Sequence, residues 1–365
     1  MFVAVISVLP PSSRRLWRAA RTALAAGLAW AAAGSSVAAA SLTVLMGDDM
    51  AASSEFVQQL RADQEPGGKF ELVRVSPGAP GAPGAVVAAQ PEAAAPPDTE
   101  RAANAGVRTR SLRPSAADTP LTVAVGPAAA RTAVERPGQE PLVLAMLSRL
   151  EYETLKASSP ALRRGDRRVG VLLRDPAMAD QLALVNAVLP QKHRLGVVAT
   201  PESEPLVREL QRAAQGANPA WDLRVEYAPD ARSIASALRL VVPESDALMV
   251  LPDLIGDNQA ATLSVLRAAA TAGLPVFGAS EGLVRSGGLA AAVSTPSQLA
   301  QQARLLGQKV ASAGTASGSG SGNNNAPLVE AATPATVRVN ATVARGLGLR
   351  LPEERELTDR LAAPR

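Results

Sequence analysis

The sequence predicts an α/β protein whose chain forms two lobes, each built on a mainly parallel sheet. The first indication is a strand–helix–strand unit between Asp246 and Ala292. Its opening run, Ala247 to Leu251, is apolar and too short for a helix, as expected of a strand buried on both faces. The second is the alternation of strand and helix patterns around this unit, which is typical of doubly wound sheets. The third is length, since 365 residues exceed what one ordinary core supports.

The helix of this unit is predicted over Asn258 to Ala272, with Asp257 as its N-cap and Gly273 at its end. A second strand is expected over Pro275 to Gly278. Helical spacing places three apolar residues on one buried stripe, namely Leu263, Leu266 and Ala270.

Residues 1 to 40 are expected to be a signal peptide. Arginines precede an apolar run from Thr22 to Gly34, and the small residues Ala38 to Ala40 fit a cleavage site. The apolar run is shorter than the ~20 residues that a membrane-spanning helix needs. We therefore expect a periplasmic protein that is cleaved near Ala40.

The remaining chain has a balanced charge. It carries 33 basic residues, four fewer than the 37 of the full sequence, against 33 acidic ones. Nucleic-acid binding depends on concentrated lysine and arginine, so no nucleic-acid partner is expected. With no cysteine and one histidine, neither disulfides nor a transition-metal site is predicted. No cofactor is expected, because the sequence has neither a phosphate loop nor a dinucleotide fingerprint.

The first lobe is predicted over residues 41 to 168. Its segments are strand Leu42 to Leu45, helix Ser53 to Arg61, strand Phe70 to Val75, strand Leu121 to Val125, helix Ala128 to Val134 and strand Leu142 to Ala145. Residues 76 to 115 are rich in Pro, Gly and Ala and bury too little apolar surface to offset the entropy of ordering. A disordered insertion is expected there.

The second lobe is predicted over residues 169 to 287. Before the unit described above, its segments are strand Val169 to Leu173, helix Gln181 to Leu189, strand Leu195 to Ala199, helix Glu204 to Ala214, a strand at Val225 and helix Ser233 to Val241.

Residues 288 to 328 are expected to return to the first lobe. A helix starting at Pro296 is predicted there, followed by a flexible loop at 316 to 325. Residues 329 to 365 are expected to add a strand, Thr336 to Asn340, and a helix, Ala341 to Leu347, to the second lobe.

Five segments of the sequence carry a family resemblance. They are QLALVNAVLP (Gln181 to Pro190), RLGVVATPES (Arg194 to Ser203), DALMVLPD (Asp246 to Asp253), GLPVFGASEGLVRSGGLAA (Gly273 to Ala291) and VRVNATVARGLGLRLP (Val337 to Pro352). In this order they resemble the ABC-transporter substrate-binding protein family whose best-known relatives bind tryptophan or tyrosine. The resemblance implies two Rossmann-like lobes of the type I periplasmic-binding class with a ligand cleft between them. It also implies a membrane permease of an ABC transporter as partner.

The chain departs from the family in its aromatic residues. Where the family has a tyrosine after Gly-Gly-Leu, this chain has Ala290 to Ala292, and aromatic residues make up only 2% of the sequence. The stacking candidates of the second half are Tyr152, Trp221, Tyr227 and Phe277. Residues of this type are more often buried in the core, and we expect each of them there.

A hydrolase is the enzymatic alternative. Gly278 to Gly282 satisfies the G-x-S-x-G pattern of a nucleophile elbow and follows a predicted strand. That chemistry needs a histidine after the serine, whereas the only histidine, His193, lies upstream of Ser280. We therefore predict that the protein is not an enzyme.

Polar residues after the predicted strands are the candidate ligand contacts, because ligands bind at the carboxyl ends of parallel strands. The set consists of Asp48 and Ser148 from the first lobe and Ser203, Asp253, Ser280 and Glu281 from the second. Several acids facing one cleft favour an amino acid or another amine-containing solute.

The predicted function is the solute-binding component of an ABC-type importer, a monomer that closes its lobes on a small solute. The alternative is an envelope interaction protein that keeps the fold without a ligand. The low aromatic content and the insertion favour this alternative, whereas the five segments favour the receptor.

Overall fold

A computed structural model describes residues 41–47, 50–64, 68–75, 86–88, 120–165, 167–316, 326–333 and 336–362. The predicted signal peptide lies outside these residues. So does the predicted insertion, except for one three-residue strand, Val86–Ala88, which pairs antiparallel with the preceding strand. The flexible loop predicted at 316 to 325 also lies outside them beyond Ala316.

The described chain alternates between strands and helices. It begins with β1 (Leu42–Met46), α1 (Ala51–Ala62), β2 (Phe70–Val75), β3 (Val86–Ala88), β4 (Leu121–Val125), α2 (Gly126–Glu135), β5 (Leu142–Leu147), α3 (Arg149–Ser158), α4 (Pro160–Arg164) and β6 (Val169–Pro176). It continues with α5 (Met178–Val188), β7 (Arg194–Ala199), α6 (Glu204–Gly216), β8 (Asp222–Tyr227), α7 (Ile234–Val241), β9 (Ala247–Val250), α8 (Gln259–Ala272), β10 (Val276–Gly278), α9 (Glu281–Arg285) and β11 (Ala290–Val293). It ends with α10 (Pro296–Ala316), β12 (Leu328–Ala332), β13 (Thr336–Val339), α11 (Ala341–Gly346) and α12 (Glu354–Ala362).

Two sheets organise these elements into two lobes. The first sheet has the order β12-β6-β5-β4-β1-β2-β3 and the second β13-β11-β10-β9-β7-β8. Within each sheet the strands are parallel except at one edge, where β3 and β13 run antiparallel to their neighbours. Central strands such as β5, β9 and β11 are apolar on both faces because helices cover both. The α/β fold class and the two-lobe arrangement are as predicted.

Each face of each sheet has its own apolar cluster. In the first lobe α1 and α10 pack on one face and α2, α3 and α4 on the other. In the second lobe α5, α6, α11 and α12 cover one face, and α7, α8 and α9 the other. None of the helices within the described ranges is both long and apolar enough to cross a membrane.

Most of the predicted elements are confirmed. The strands β2 and β4 have the predicted bounds, and the predicted ends of β1, α6 and α11 differ from the observed ones by one to two residues. The sequence prediction missed β3, α3, α4, α9, β11, β12 and α12. These elements are short or strongly polar, so their apolar periodicity is weak.

The strands at the lobe boundaries join a different sheet from the one predicted. The strand β6 was expected to begin the second lobe at Val169, but it pairs with β5 and β12 in the first sheet. Conversely, β11 lies within the predicted return to the first lobe yet pairs in the second sheet. Local patterns identify a strand, whereas its sheet is decided by long-range pairing.

The helix α8 begins one residue later than its predicted cap implies. Asn258, not Asp257, is the N-cap, and its side chain accepts a hydrogen bond from the amide of Ala261 at 3.0 Å. The predicted end at Gly273 is confirmed, with φ +67°. Of the predicted buried stripe only Leu266 is fully buried, and Ala270 is exposed.

Glutamine side chains brace the segments that connect the lobes. In the described part of the chain these connections follow β6, β11 and β12. Gln181 donates to the carbonyl of Ala292 at 2.8 Å. Gln302 donates to the carbonyl of Ala331 at 2.8 Å and accepts from the amide of Thr333 at 2.9 Å. These connections are thus held by side-chain to backbone hydrogen bonds from two buried glutamines.

Candidate functional site

A cleft of about 660 Å³ lies between the two lobes, at the carboxyl ends of β6, β9 and β10. The first lobe contributes four residues to it, namely Met50, Glu151, Arg174 and Asp175. The second lobe contributes the end of β9, the segment leading into α8, the start of α8, and the β10–α9 turn. This is where the strand-end rule places a ligand.

A cluster of charged side chains occupies the side of the cleft nearest the first lobe. The guanidinium of Arg174 lies between three carboxylates. Its Nη1 is 3.4 Å from Glu151 Oε2, its Nη2 is 3.9 Å from Asp257 Oδ2, and its Nε is 3.9 Å from Asp175 Oδ2. Because Asp257 belongs to the second lobe, Arg174 spans the cleft. With the three acids ionised, the cluster has a net negative charge.

Local sequence explains how these groups are positioned. Ser148 and Glu151 form a capping box at the start of α3: the Ser148 hydroxyl accepts from the amide of Glu151 at 3.1 Å, and Glu151 Oε2 accepts from the amide of Ser148 at 2.6 Å. Arg174 and Asp175 end the strand β6, where the chain leaves the first sheet.

Asp175 has the most perturbed ionisation in the cleft. Burial raises the pKa of its carboxyl from 3.8 to about 7, with Arg174 opposing the shift and with Asp257 and Glu151 adding to it. Its Oδ2 is buried and has no hydrogen-bond partner among the described residues. The other two acids are more accessible, since the side chain of Asp257 is 64% exposed and that of Glu151 32%.

The rest of the cleft wall is mainly apolar. Val250, Leu263 and Leu283 line it from the second lobe and Met50 from the first. Within the described residues no aromatic side chain lines it. As expected, Tyr152, Trp221 and Phe277 are buried in the cores.

Tyr227 is the exception among the predicted core aromatics. It is 45% exposed, and its hydroxyl donates to Glu204 Oε2 at 2.6 Å.

Of the six predicted ligand contacts, Ser280 lines the cleft, as the N-cap of α9 that accepts from the amide of Leu283 at 3.1 Å. Ser148 does not line the cleft itself, but its capping box orients Glu151, which does. Asp48 lies outside the described residues.

Ser203 and Asp253 are partners of each other below the cleft surface. Ser203 Oγ donates to Asp253 Oδ2 at 2.5 Å, and Asp253 Oδ1 accepts from the amides of Ile255 and Gly256 at 2.9 and 3.1 Å. Both are buried, Asp253 with 1% exposure. Neither residue lines the cleft, because a strand-end carboxylate can also close its own turn, and direct ligand contact by these two residues stays a prediction.

Glu281 also lies apart from the cleft lining. It forms ion pairs with Arg338 at 2.8 Å and Arg285 at 3.2 Å. The hydrogen bond from Arg338 holds the pKa of Glu281 below its ordinary value. Its role in the structure is to tie α9 to β13.

The sequence prediction missed Glu151, Arg174, Asp175 and Asp257 as site residues. Arg174 and Asp175 follow the predicted strand Val169 to Leu173, so the strand-end rule applied there would have found them. Glu151 follows Ser148 at the spacing of a capping box.

In the described residues no group of three or more His, Cys, Asp or Glu side chains is arranged to hold a metal ion. Ser280 caps a helix, and His193 lies edge-on to Trp221 with ring centroids 5.7 Å apart.

The sequence matches the family described as ABC transporter substrate binding protein over residues 114–356, more than half of the chain. A comparison with curated proteins finds no match. Among solved structures, the chain is similar to a ligand-free, open substrate-binding protein with adhesive properties from Clostridium difficile. The identity is 14% and the TM-score 0.53, with 86% of this chain and 96% of that one covered.

Two further structures have lower TM-scores. A conserved domain protein from Vibrio cholerae has 20% identity and a TM-score of 0.48, with 88% and 98% coverage. A domain in complex with L-Trp from Streptococcus pneumoniae has 15% identity and a TM-score of 0.46, with 87% and 98% coverage. The family match and the two-lobe fold agree, and the chain belongs to the ABC transporter substrate binding protein family.

Proposed function

We propose that this protein is the solute-binding component of an ABC-type importer, and that its solute carries an amino group. The observation that carries the proposal is the group of three carboxylates, Glu151, Asp175 and Asp257, around one guanidinium in a cleft of about 660 Å³. Members of this family bind solutes and are generally not enzymes. We further propose that residues 1–40 direct export to the periplasm, where a permease receives the loaded protein.

The charge of the cleft favours a cation. An ammonium at ~4 Å from a carboxylate gains roughly 4 kcal/mol at an effective dielectric constant near 20, before desolvation is subtracted. The wall formed by Val250, Leu263 and Leu283 suits a short aliphatic body. An aromatic solute would find no aromatic stacking partner among the described lining residues.

Closure of the lobes follows from the position of the charges. Glu151 and Asp175 come from the first lobe and Asp257 from the second, so a cation between them attracts both lobes. The connections after β6, β11 and β12 are the hinge about which the lobes would move.

The test is a thermal-shift screen with amino acids, aliphatic amines and the corresponding uncharged alcohols. A solute that binds only the folded protein raises Tm by mass action, and at 100 times its Kd the stabilisation is about 2.7 kcal/mol. We expect amines to raise Tm and alcohols to leave it unchanged. The double variant Asp175→Asn with Asp257→Asn should lose the response. Glu281→Gln is the matched control, because it removes an acid near α9 that does not line the cleft.

If no amine or amino acid raises Tm, or if alcohols do so equally, the importer role with this ligand class is wrong. The interaction-protein alternative would then gain. If the double variant still responds and Glu281→Gln does not, the ligand binds elsewhere.

A further inference from the structure

We propose that Asp175 is the specificity-determining residue of the cleft: it receives the cationic group of the solute and gives up a proton to water as the solute binds. This inference rests on the proposed function, because it specifies how the same cleft holds its ligand.

The geometry around Asp175 leaves one acceptor free. Its side chain is 17% exposed and lines the cleft, but Oδ2 is buried and accepts no hydrogen bond from the described residues. The nearest cation, Arg174 Nε, is 3.9 Å away, beyond hydrogen-bond distance. A buried carboxylate oxygen without a donor is unfavourable. A protonated amine in the cleft supplies such a donor together with a positive charge.

The position of Asp175 in the chain couples it to both lobes. It precedes Pro176, the last residue of β6, after which the chain passes to α5 in the second lobe. Its pairing with Arg174, which also reaches Asp257, links the first sheet to the segment before α8. Binding of the solute's cationic group at Asp175 therefore affects the connection between the lobes that follows β6.

The charges that act on Asp175 come from three elements. Arg174 lies on its own strand, Glu151 on α3 and Asp257 before α8. The adjoining strands β5 and β11 carry no charged residue.

The remaining neighbouring charges are already paired. On β12 the one charged residue is Glu330, which binds Lys309 of α10 at 2.8 Å. The other charged residue of α10, Arg304, donates to the carbonyl of Leu60. Arg174 is thus the one basic side chain within ion-pair distance of Asp175 in the described residues, against two acids, Glu151 and Asp257.

The reaction is a proton exchange with no other chemistry. The neutral carboxyl of Asp175 loses its proton to bulk water, and the resulting carboxylate pairs with the ammonium of the solute. With burial raising the pKa of the free Asp175 to about 7, a fraction of a proton is released per solute near neutral pH. Affinity should weaken about 20-fold from about pH 7.5 to about pH 5.5, as linkage with that pKa requires when the bound carboxylate stays ionised.

Asp257 provides the contrast within the same cleft. Its side chain is 64% exposed and lies on the second lobe. Asp257→Asn should weaken binding and keep a pH dependence that is shifted to lower pH, because Asp257 adds to the raised pKa of Asp175. Asp175→Asn should weaken binding at about pH 7.5 and abolish the pH dependence between about pH 5.5 and 7.5.

The experiment uses the folded protein purified after export. Its probes are L-lysine and 1,5-diaminopentane. Calorimetry in two buffers of different ionisation heat counts the protons released. Carbon-detected NMR of the aspartate carboxyls, assigned with Asp175→Asn, follows the ionisation of Asp175 with and without probe. We expect proton release near neutral pH and a fall in the Asp175 pKa when the probe is present.

Three outcomes overturn the inference. If a probe binds in the cleft with no proton release and no change in the ionisation of Asp175, this inference is wrong while the proposed function stands. If Asp257→Asn, rather than Asp175→Asn, removes the pH dependence, the released proton does not come from Asp175 and the inference is wrong. If neither probe shifts the ionisation of Asp175 and no amine in the thermal-shift screen raises Tm, both this inference and the proposed ligand class are wrong.

Discussion

Two aspartates near the cleft show how surroundings decide the role of a residue. Asp253 and Asp175 both follow parallel strands, and burial is the leading cause that raises the pKa of each. The oxygens of Asp253 are satisfied by Ser203 and two backbone amides. One oxygen of Asp175 has no such partner among the described residues. The first aspartate is therefore structural, and the second is available to a ligand.

Removing the Asp253 carboxylate should destabilise the second lobe. In Asp253→Ala the hydroxyl of Ser203 and the amides of Ile255 and Gly256 lose their acceptor while remaining largely buried. We expect a loss of about 2–4 kcal/mol in the free energy of unfolding, measured by urea denaturation. Glu281→Ala, which removes partly exposed ion pairs, should lose at most about 1 kcal/mol. Equal losses in the two variants would contradict the structural role of Asp253.

Without ligand, Asp175→Asn should stabilise the protein at high pH. The folded-state pKa of about 7 lies above the ordinary 3.8, so the stability that Asp175 gives is complete below about pH 4 and is lost as pH rises through 7. Asparagine does not ionise and avoids this loss. We expect the variant to be more stable than wild type by roughly 4 kcal/mol at about pH 8 and nearly equal to it near pH 4, measured by urea denaturation. A difference independent of pH would argue against a buried, titrating Asp175.

At the scale of elements, close packing of a helix on a central strand depends on a single glycine. A Cβ on Gly196 of β7 would lie 2.2 Å from Ser245 Oγ and 2.4 Å from Val241 Cγ1. Ser245 is buried and its hydroxyl donates to the carbonyl of Val241 at 2.7 Å, so it has little freedom to move. Because residue 196 is glycine, the end of α7 approaches β7 more closely than any residue with a side chain at that position would permit.

Gly196→Ala should lower stability by about 1–3 kcal/mol, because the added methyl group overpacks a closed interface. Gly216→Ala, at the end of α6, is the control. A Cβ there meets no atom within 4 Å, and Gly216 does not have a positive φ. We expect unchanged or slightly higher stability for the control. Thermal unfolding of both variants measures the difference, and similar Tm values would show that β7 and α7 can separate without loss.

For the whole molecule, contacts outside the cleft also join the two lobes. Arg149 Nη1 of α3 lies 3.9 Å from Glu209 Oε2 of α6, and Glu209 Oε1 accepts from the amide of Met178 at 3.1 Å. The neighbouring Leu150 packs against the core of the second lobe. These contacts join the two lobes next to the connection that follows β6.

Lobe closure can be measured with two spin labels, because the chain has no cysteine of its own. Glu135→Cys on α2 and Ala235→Cys on α7 place labels at exposed positions of the two lobes. We expect an amine that raises Tm to shorten and narrow the distance distribution. Adding Asp175→Asn and Asp257→Asn should remove the effect. An unchanged distribution with bound solute would contradict closure.

Export is tested by sequencing the mature protein from the periplasm. We expect it to begin at Ser41, directly before β1, whose first residue is Leu42. Cleavage there would preserve the backbone hydrogen bond from the amide of Leu121 to the carbonyl of Ser41, which is 3.0 Å long. Retention of the first 40 residues on a membrane-bound chain would contradict the signal-peptide prediction.

Local features of the sequence were sufficient to predict most of the elements of the fold. The bounds of β2 and β4, the stop of α8 at Gly273 and the start of α10 at Pro296 follow from apolar period, glycine and capping chemistry, which act over a few residues. The same is true of the family resemblance and the two-lobe α/β class. An amine-containing solute was also proposed from the sequence, although from a different set of acids.

Tertiary structure decided which residues meet. Neither the apolar periodicity nor the capping residues of the sequence predict which of the two sheets β6 joins. Its sheet depends on pairing with β5 and with β12, which lies far along the chain. The sequence also cannot distinguish Asp253, whose carboxylate closes its own turn, from Asp175, whose carboxylate faces the cleft. That difference arises from burial and from hydrogen-bond donors that only the folded chain brings within reach.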